Sequence, residues 1–296
     1  MDMSSDRGGG GPSGISSGQD LSKRQGLIAV NDLTYVLEPD LSVASNKTHK
    51  THYFQNSTYT PGQNAICILN SGADYIDTRR SWLQFDLNLS ETDIAGANMA
   101  NNPKFGTHGS ALNLIKQITV STRSGDVLCQ LFDFNLMSNI LLPLTYDKGW
   151  FDTVGQTMAY GGEVQINEKN RILIPMYLLT PLFGYGRLMP AMLMSGLRIE
   201  IVWEDVAKAV FSDAVNPTKN PKSYTISDPQ MCLSSVQLSD SIQRALNELS
   251  ATNGLEIVYC DYERDMHTSG DSLSTLNMEI RKACSRALKA FARIRV

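Results

Sequence analysis

Between Arg171 and Val210 the chain reads RILIPMYLLTPLFGYGRLMPAMLMSGLRIEIVWEDVAKAV, its densest apolar content placed where no regular element can run. Ile172 to Leu197 is interrupted at Pro175, Pro181, Gly184, Gly186, Arg187, Pro190 and Gly196. Proline withdraws an N–H donor and glycine weakens a helix interior, so this is not a long helix. Nor is it the run of about 20 continuous apolar residues that a membrane span needs. A short apolar strand precedes it, and Leu197, Ile199, Ile201 and Trp203 follow in strict alternation. An irregular connection this apolar must lie against a large surface, either the face of a sheet or another subunit. No catalytic residue type dominates it, which points to a structural, assembling protein.

The remaining pattern is mostly β. Leu83, Phe85, Leu87 and Leu89 alternate with Gln84, Asp86 and Asn88 over Ser81 to Ser90, the period-two signature of a half-buried strand. Gln117 to Thr122 and Val127 to Leu131 flank Arg123-Ser124-Gly125-Asp126 and predict a hairpin. Ala65 to Leu69, Tyr224 to Ile226, Met231 to Leu238 and Leu255 to Tyr262 predict further strands. Helices are few. One is expected over Asp133 to Leu142, stopped by Pro143, and one over about 240–249, where Ile242, Ala245, Leu246 and Leu249 share a face behind Ser239. Many short strands, long loops and few helices predict an all-β sandwich of jelly-roll type. No 20- to 50-residue repeat suggests a propeller or solenoid.

Composition narrows the chemistry. A net charge of −4 gives no global electrostatic reason to bind nucleic acid. The five cysteines, Cys67, Cys129, Cys232, Cys260 and Cys284, are dispersed, mostly in apolar runs, and form no C-x-x-C, so they read as buried free thiols of a reducing compartment. Residues 1–26 are polar and Gly/Ser-rich, unlike a signal peptide's apolar region, and are expected to be a disordered arm. The sequons at Asn46, Asn56 and Asn88 then read as chance.

His49 and His52, in THKTH, have no nearby acidic or thiol partner and read as a solvated loop, while His108 and His267 stand apart. Zinc-protease and phosphate-loop motifs are missing, and Gly184-Tyr185-Gly186 is too short for a phosphate cradle. The pairs Glu204/Asp205 and Asp261/Glu263 read as solvated carboxylates at strand ends. Arg281, Lys282, Arg286, Lys289, Arg293 and Arg295 form a basic run, read as a solvated strand face rather than a phosphate site. No cofactor and no enzyme activity are expected.

Several ordered blocks resemble double jelly-roll major capsid proteins of Polinton-like viruses, virophages and their relatives. LNSGADYIDTRRSWLQFDLNLS (Leu69 to Ser90) resembles the early strand pair of that family. Gly109 to Leu142 is similar to its next unit of strand, hairpin and short helix. Pro181-Leu182-Phe183-Gly184, Met189-Pro190 and Leu197 to Ile201 resemble its apolar-loop block, and Tyr224 to Glu248 its link out of the first jelly roll. The resemblance implies two jelly rolls in one chain, homotrimeric pseudo-hexagonal capsomers and an icosahedral shell. It implies a virion protein assembled inside the host cell, whose partners are its own copies and penton or minor capsid proteins, with no membrane insertion and no specific nucleic-acid binding. Residues 27–265 would be the first jelly roll. Residues 266–296 would open the second, and being too few for eight strands they predict either a truncated chain or strands that pair back on the first sandwich.

The expected interface is the apolar connection, through Tyr177, Leu178, Leu179, Leu182, Phe183, Tyr185, Leu188, Met189, Met192 and Met194, unless it caps its own sandwich. The alternative is a jelly-roll carbohydrate-binding module, which would group surface aromatics on one sheet face. Trp82, Trp150 and Trp203 fall in two apolar-patterned strands and a loop, a poor fit to that alternative.

Overall fold

The alternating segments become strands, and among the described residues every strand pairing is antiparallel. The structure, a computed structural model, describes residues 44–262 apart from 71, 100, 107–108, 167, 212–218, 254–256 and 260. The expected arm at 1–26, the basic run, the strands expected at 266–296, and His108, His267, Cys260 and Cys284 lie outside the described residues. Among the described residues eight strands carry the fold: β1 Ala44–Tyr53, β2 Asn64–Ile68, β3 Tyr75–Leu89, β4 Ile115–Ser121, β5 Val127–Phe132, β6 Asn170–Pro175, β7 Arg198–Trp203 and β8 Tyr224–Leu238. A two-residue strand, Thr58–Tyr59, adds to β8. The two longer helices are α1 Phe134–Thr145 and α2 Asp240–Asn253.

The strands form two sheets, in the orders β1-β8-β3-β6 and β2-β7-β4-β5. First pairs with last, second with next to last, and so inward to the β4–β5 hairpin. It is as if one long hairpin had been wrapped so that its strand pairs fall alternately into two sheets. That order is the jelly roll. Between the sheets, Leu83, Phe85 and Leu87 of β3 and Leu233 of β8 meet Ile118 of β4 and Ile199, Ile201 and Trp203 of β7, all buried. Phe85 and Trp203 pack edge to face with centroids 5.6 Å apart. Each such side chain, fully buried, contributes about 1.5–3 kcal/mol.

Several expectations need correction. THKTH is not a loop but part of β1, an edge strand whose side chains are mostly exposed and whose order comes from its backbone ladder to β8. Without a buried face it shows no apolar alternation. β3 begins at Tyr75, before Ser81, because Arg79 and Arg80 sit in a register shift that hides its first half. There Ser81 Oγ donates to the Asp77 carbonyl (2.7 Å) and accepts from the Ser234 N–H (2.9 Å), replacing ladder bonds. The two strands expected at Tyr224 and Met231 are one, β8. Asp228 takes a left-handed φ of 50°, its N–H turning to the Ser57 carbonyl at 2.7 Å, and the irregularity absorbs Pro229.

Pro143 does not end α1. In the last turn it forfeits only one carbonyl's partner, and the Tyr146 N–H still bonds the Leu142 carbonyl at 3.0 Å. No strand forms among the described residues of Leu255 to Tyr262. Ile257 and Tyr259 instead dock by their side chains against the core, and Tyr259 Oη donates to the Leu128 carbonyl at 2.6 Å.

Candidate assembly surface

After β6 the chain makes a helical turn at Met176–Leu179 and a tighter one at Phe183–Tyr185, then crosses to β7. Its backbone is tied inward. Phe183 and Gly184 N–H groups return to the Thr180 carbonyl, and Met189 and Ile76 exchange both of their backbone hydrogen bonds (2.8 and 3.0 Å). Buried Thr78 donates its hydroxyl to the Phe183 carbonyl at 2.7 Å. Gly186, at φ 83°, lies directly under the Arg79 guanidinium, which would stand 2.7 Å from a Cβ there. Arg187 sits over the Tyr185 ring, 5.7 Å from its centroid.

This packing divides the ten expected interface residues. Leu179, Leu182, Phe183, Met189 and Met194 are buried in the chain's own core. Tyr177, Leu178, Tyr185 and Leu188 are half-buried, and only Met192, at 76% exposure, stands mainly in solvent. Leu188 reaches a second, smaller apolar cluster of Tyr75, Val236 and Leu238 beneath Ile242 and Leu246 of α2. The connection therefore caps its own sandwich, with its half-buried fringe and Met192 at the surface.

Two surfaces escaped the sequence reading. Ile68, Val127 and Phe132 are 56%, 58% and 51% exposed on the outward face of β2-β7-β4-β5. Val127 has the same parity as buried Cys129 and Leu131, but a bulge between Val120 and Ser121 moves its partner from Thr122 to Ser121 and turns it outward. The β5–β6 connection also carries a run of rings. Tyr146 stacks on Trp150 (4.0 Å), Trp150 meets Phe151 edge-on (5.3 Å), and Phe151 stacks on Tyr160 (4.0 Å). Trp150 Nε1 donates to Tyr177 Oη at 3.3 Å, joining these rings to the β6–β7 connection. Burial, with Tyr177 and Tyr262 nearby, pushes the Tyr146 hydroxyl up to about 12. Aromatic density between residues 146 and 160 was the available signal.

The titratable groups are arranged for structure. Histidines three apart on a strand point to opposite faces, so His49 and His52 cannot share a metal. His49 lies against Trp82, centroids 5.5 Å apart, while the His52 Nε2 is buried without a hydrogen-bond partner. Burial, helped by Lys50, lowers the His52 pKa. Glu204 is not the solvated carboxylate expected: at 1% exposure it accepts from Asn135 Nδ2 (2.9 Å) and the Asp205 N–H (3.0 Å), with Lys208 4.0 Å away. Closure of the sandwich end over the β7 terminus accounts for its burial, since Tyr224 Oη also bonds the Glu204 carbonyl. Asp261 receives the Cys129 thiol at 3.5 Å, and Glu263 lies outside the described residues. Cys67, Cys129 and Cys232 are buried free thiols, the first two pushed up to about 12, chiefly by burial. Trp82 lies on an outer sheet face, Trp150 in a connection and Trp203 in the core, so the tryptophans form no shared platform.

No family model and no curated protein matches the chain. Among solved structures it is similar to VP54 of PBCV-1, as fitted into a reconstruction of the virophage Sputnik, at 10% identity and a TM-score of 0.45 over 73% of this chain and 48% of that one. It is similar to the Sputnik virophage structure at 11% and 0.42 over 69% and 52%, and to the STIV MCP at 14% and 0.40 over 71% and 54%. The chain thus spans about half the length of the solved chains it matches.

Proposed function

We propose that this chain is a capsid-building jelly-roll unit, part of a double jelly-roll major capsid protein whose copies join around a threefold axis into pseudo-hexagonal capsomers of an icosahedral virion. One observation carries the proposal: eight strands paired first-to-last into a jelly roll whose interior is taken by its own core side chains. A roll filled in this way offers surfaces rather than an internal ligand chamber. The resembling blocks support it by falling on matching elements: Leu69 to Ser90 holds β3, Gly109 to Leu142 holds β4, β5 and most of α1, and Tyr224 to Glu248 holds β8 and most of α2. Residues 27–265 form the first roll in this proposal, and 266–296 open the second.

Contacts between copies would use Met192 with the half-buried Tyr177, Leu178, Tyr185 and Leu188. Burying such a fringe between copies, within obligate interfaces of about 2,000 Å² or more, would drive association. Penton or minor capsid proteins would be further partners. Sedimentation and electron microscopy of the full chain test this. Trimers or larger rings are expected, and Met192→Asp should weaken them at unchanged melting temperature. Monomers alone up to high concentration would argue against the proposal.

A further inference from the structure

Where the β4–β5 turn meets the end of β2 and the lead into β7, they border an open surface hollow of about 690 Å³. That is the size range of small-molecule sites. Hydroxyls and an amide from Ser121, Thr122, Ser195 and Asn70 line it beside Arg123 and Arg198. Arg198 is already matched, its Nη2 3.0 Å from Glu200 Oε2, and Glu200 accepts a second bond from Asn64 at 3.2 Å.

Arg123 is not matched. Among the described residues, no carboxylate lies within ion-pair distance of its guanidinium. Its stem is set by Gly196, which has φ 84° and donates its N–H to the Leu69 carbonyl at 2.8 Å. A Cβ at 196 would stand 3.0–3.2 Å from the Cβ, Cγ and Cδ of Arg123, so the missing side chain makes room for the arginine on the rim of the hollow.

The charged lining residues are Arg123, Arg198 and Glu200, two positive and one negative, leaving a single positive charge. That complements a monoanion, and a guanidinium binds a carboxylate through two parallel hydrogen bonds. A phosphate dianion would leave the site net negative. The volume exceeds what a bare carboxylate fills, and the remaining polar lining is hydroxyl and amide. Ile68 and Val127, both more than half exposed, flank it with apolar surface for the C–H face of a ring.

We propose that this hollow binds a hydroxylated carboxylate of the sugar-acid class, with Arg123 holding the carboxylate and Ser121, Ser195 and Asn70 the hydroxyls. The site stands apart from the assembly proposal and does not depend on it. The test is calorimetric and ligand-observed NMR titration of the full chain with sodium glucuronate, glucose, acetate and inorganic phosphate. Glucuronate should bind at least about tenfold more tightly than any of the other three. Arg123→Gln should weaken it at least about tenfold at unchanged melting temperature, with Arg123→Lys recovering part of the loss. Absence of glucuronate binding, equal binding by acetate or phosphate, or full binding by Arg123→Gln would each overturn the assignment.

Discussion

Replacing Phe183 by alanine distinguishes the two roles open to the β6–β7 connection. The ring has 0% exposure, and the same residue's carbonyl takes the buried Thr78 hydroxyl at 2.7 Å. A buried phenylalanine removes about 150–250 Å² from water, which at about 25 cal/mol per Å² sets a ceiling of about 4–6 kcal/mol. Core Phe-to-Ala changes cost about 3–5 kcal/mol, cavity term included, so a loss of about 4 kcal/mol is expected. Against a total stability of about 5–15 kcal/mol that is a large fraction. Met192→Ala, in the same connection at 76% exposure, should stay within about 0.5 kcal/mol. Urea unfolding followed by tryptophan fluorescence, at dilutions where the parent chain is monomeric, compares the variants directly. If Phe183→Ala leaves the monomer's unfolding midpoint unchanged yet abolishes association, the ring belongs to an interface and the capping argument is wrong.

Burial pushes the Cys67 thiol up to about 12, so iodoacetamide at mildly alkaline pH should leave it intact in the native chain and modify it only in urea; peptide mass mapping showing native alkylation would mean that β2 opens readily. His52 has a folded pKa below its unfolded value of about 6.5, so its contribution is present above that value and is lost as pH falls through the folded one. The loss cannot be steeper than about 1.4 kcal/mol per pH unit, and His52→Leu should flatten that acid flank of the melting curve; an unchanged flank would sink the assignment.

What was legible in the sequence was whatever alternation exposes. The faces of β3 and β7, the β4–β5 hairpin and α2 could all be read locally, because a sheet or helix with one buried face writes its period into the chain. β1 could not, since an edge strand with exposed side chains takes its order from backbone bonds to a partner nearly 190 residues away. The first half of β3 and the unity of β8 were hidden by register shifts at Arg79-Arg80 and at Asp228-Pro229, whose hydrogen bonds are repaired by Ser81 and by Ser57.

The apolar connection follows the same division. Its residue types alone determined that Ile172 to Leu197 could be neither one long helix nor a solvent loop and had to cover something. Which surface it covers was decided by tertiary structure, through contacts with Thr78 and Ile76, both about a hundred residues earlier in the chain. Hydrophobic burial is not directional, so composition can require that Phe183 and Met189 be buried but cannot say against what. Only the jelly-roll order, bringing β3 beside β6, puts the chain's own core under them and leaves Met192 outside.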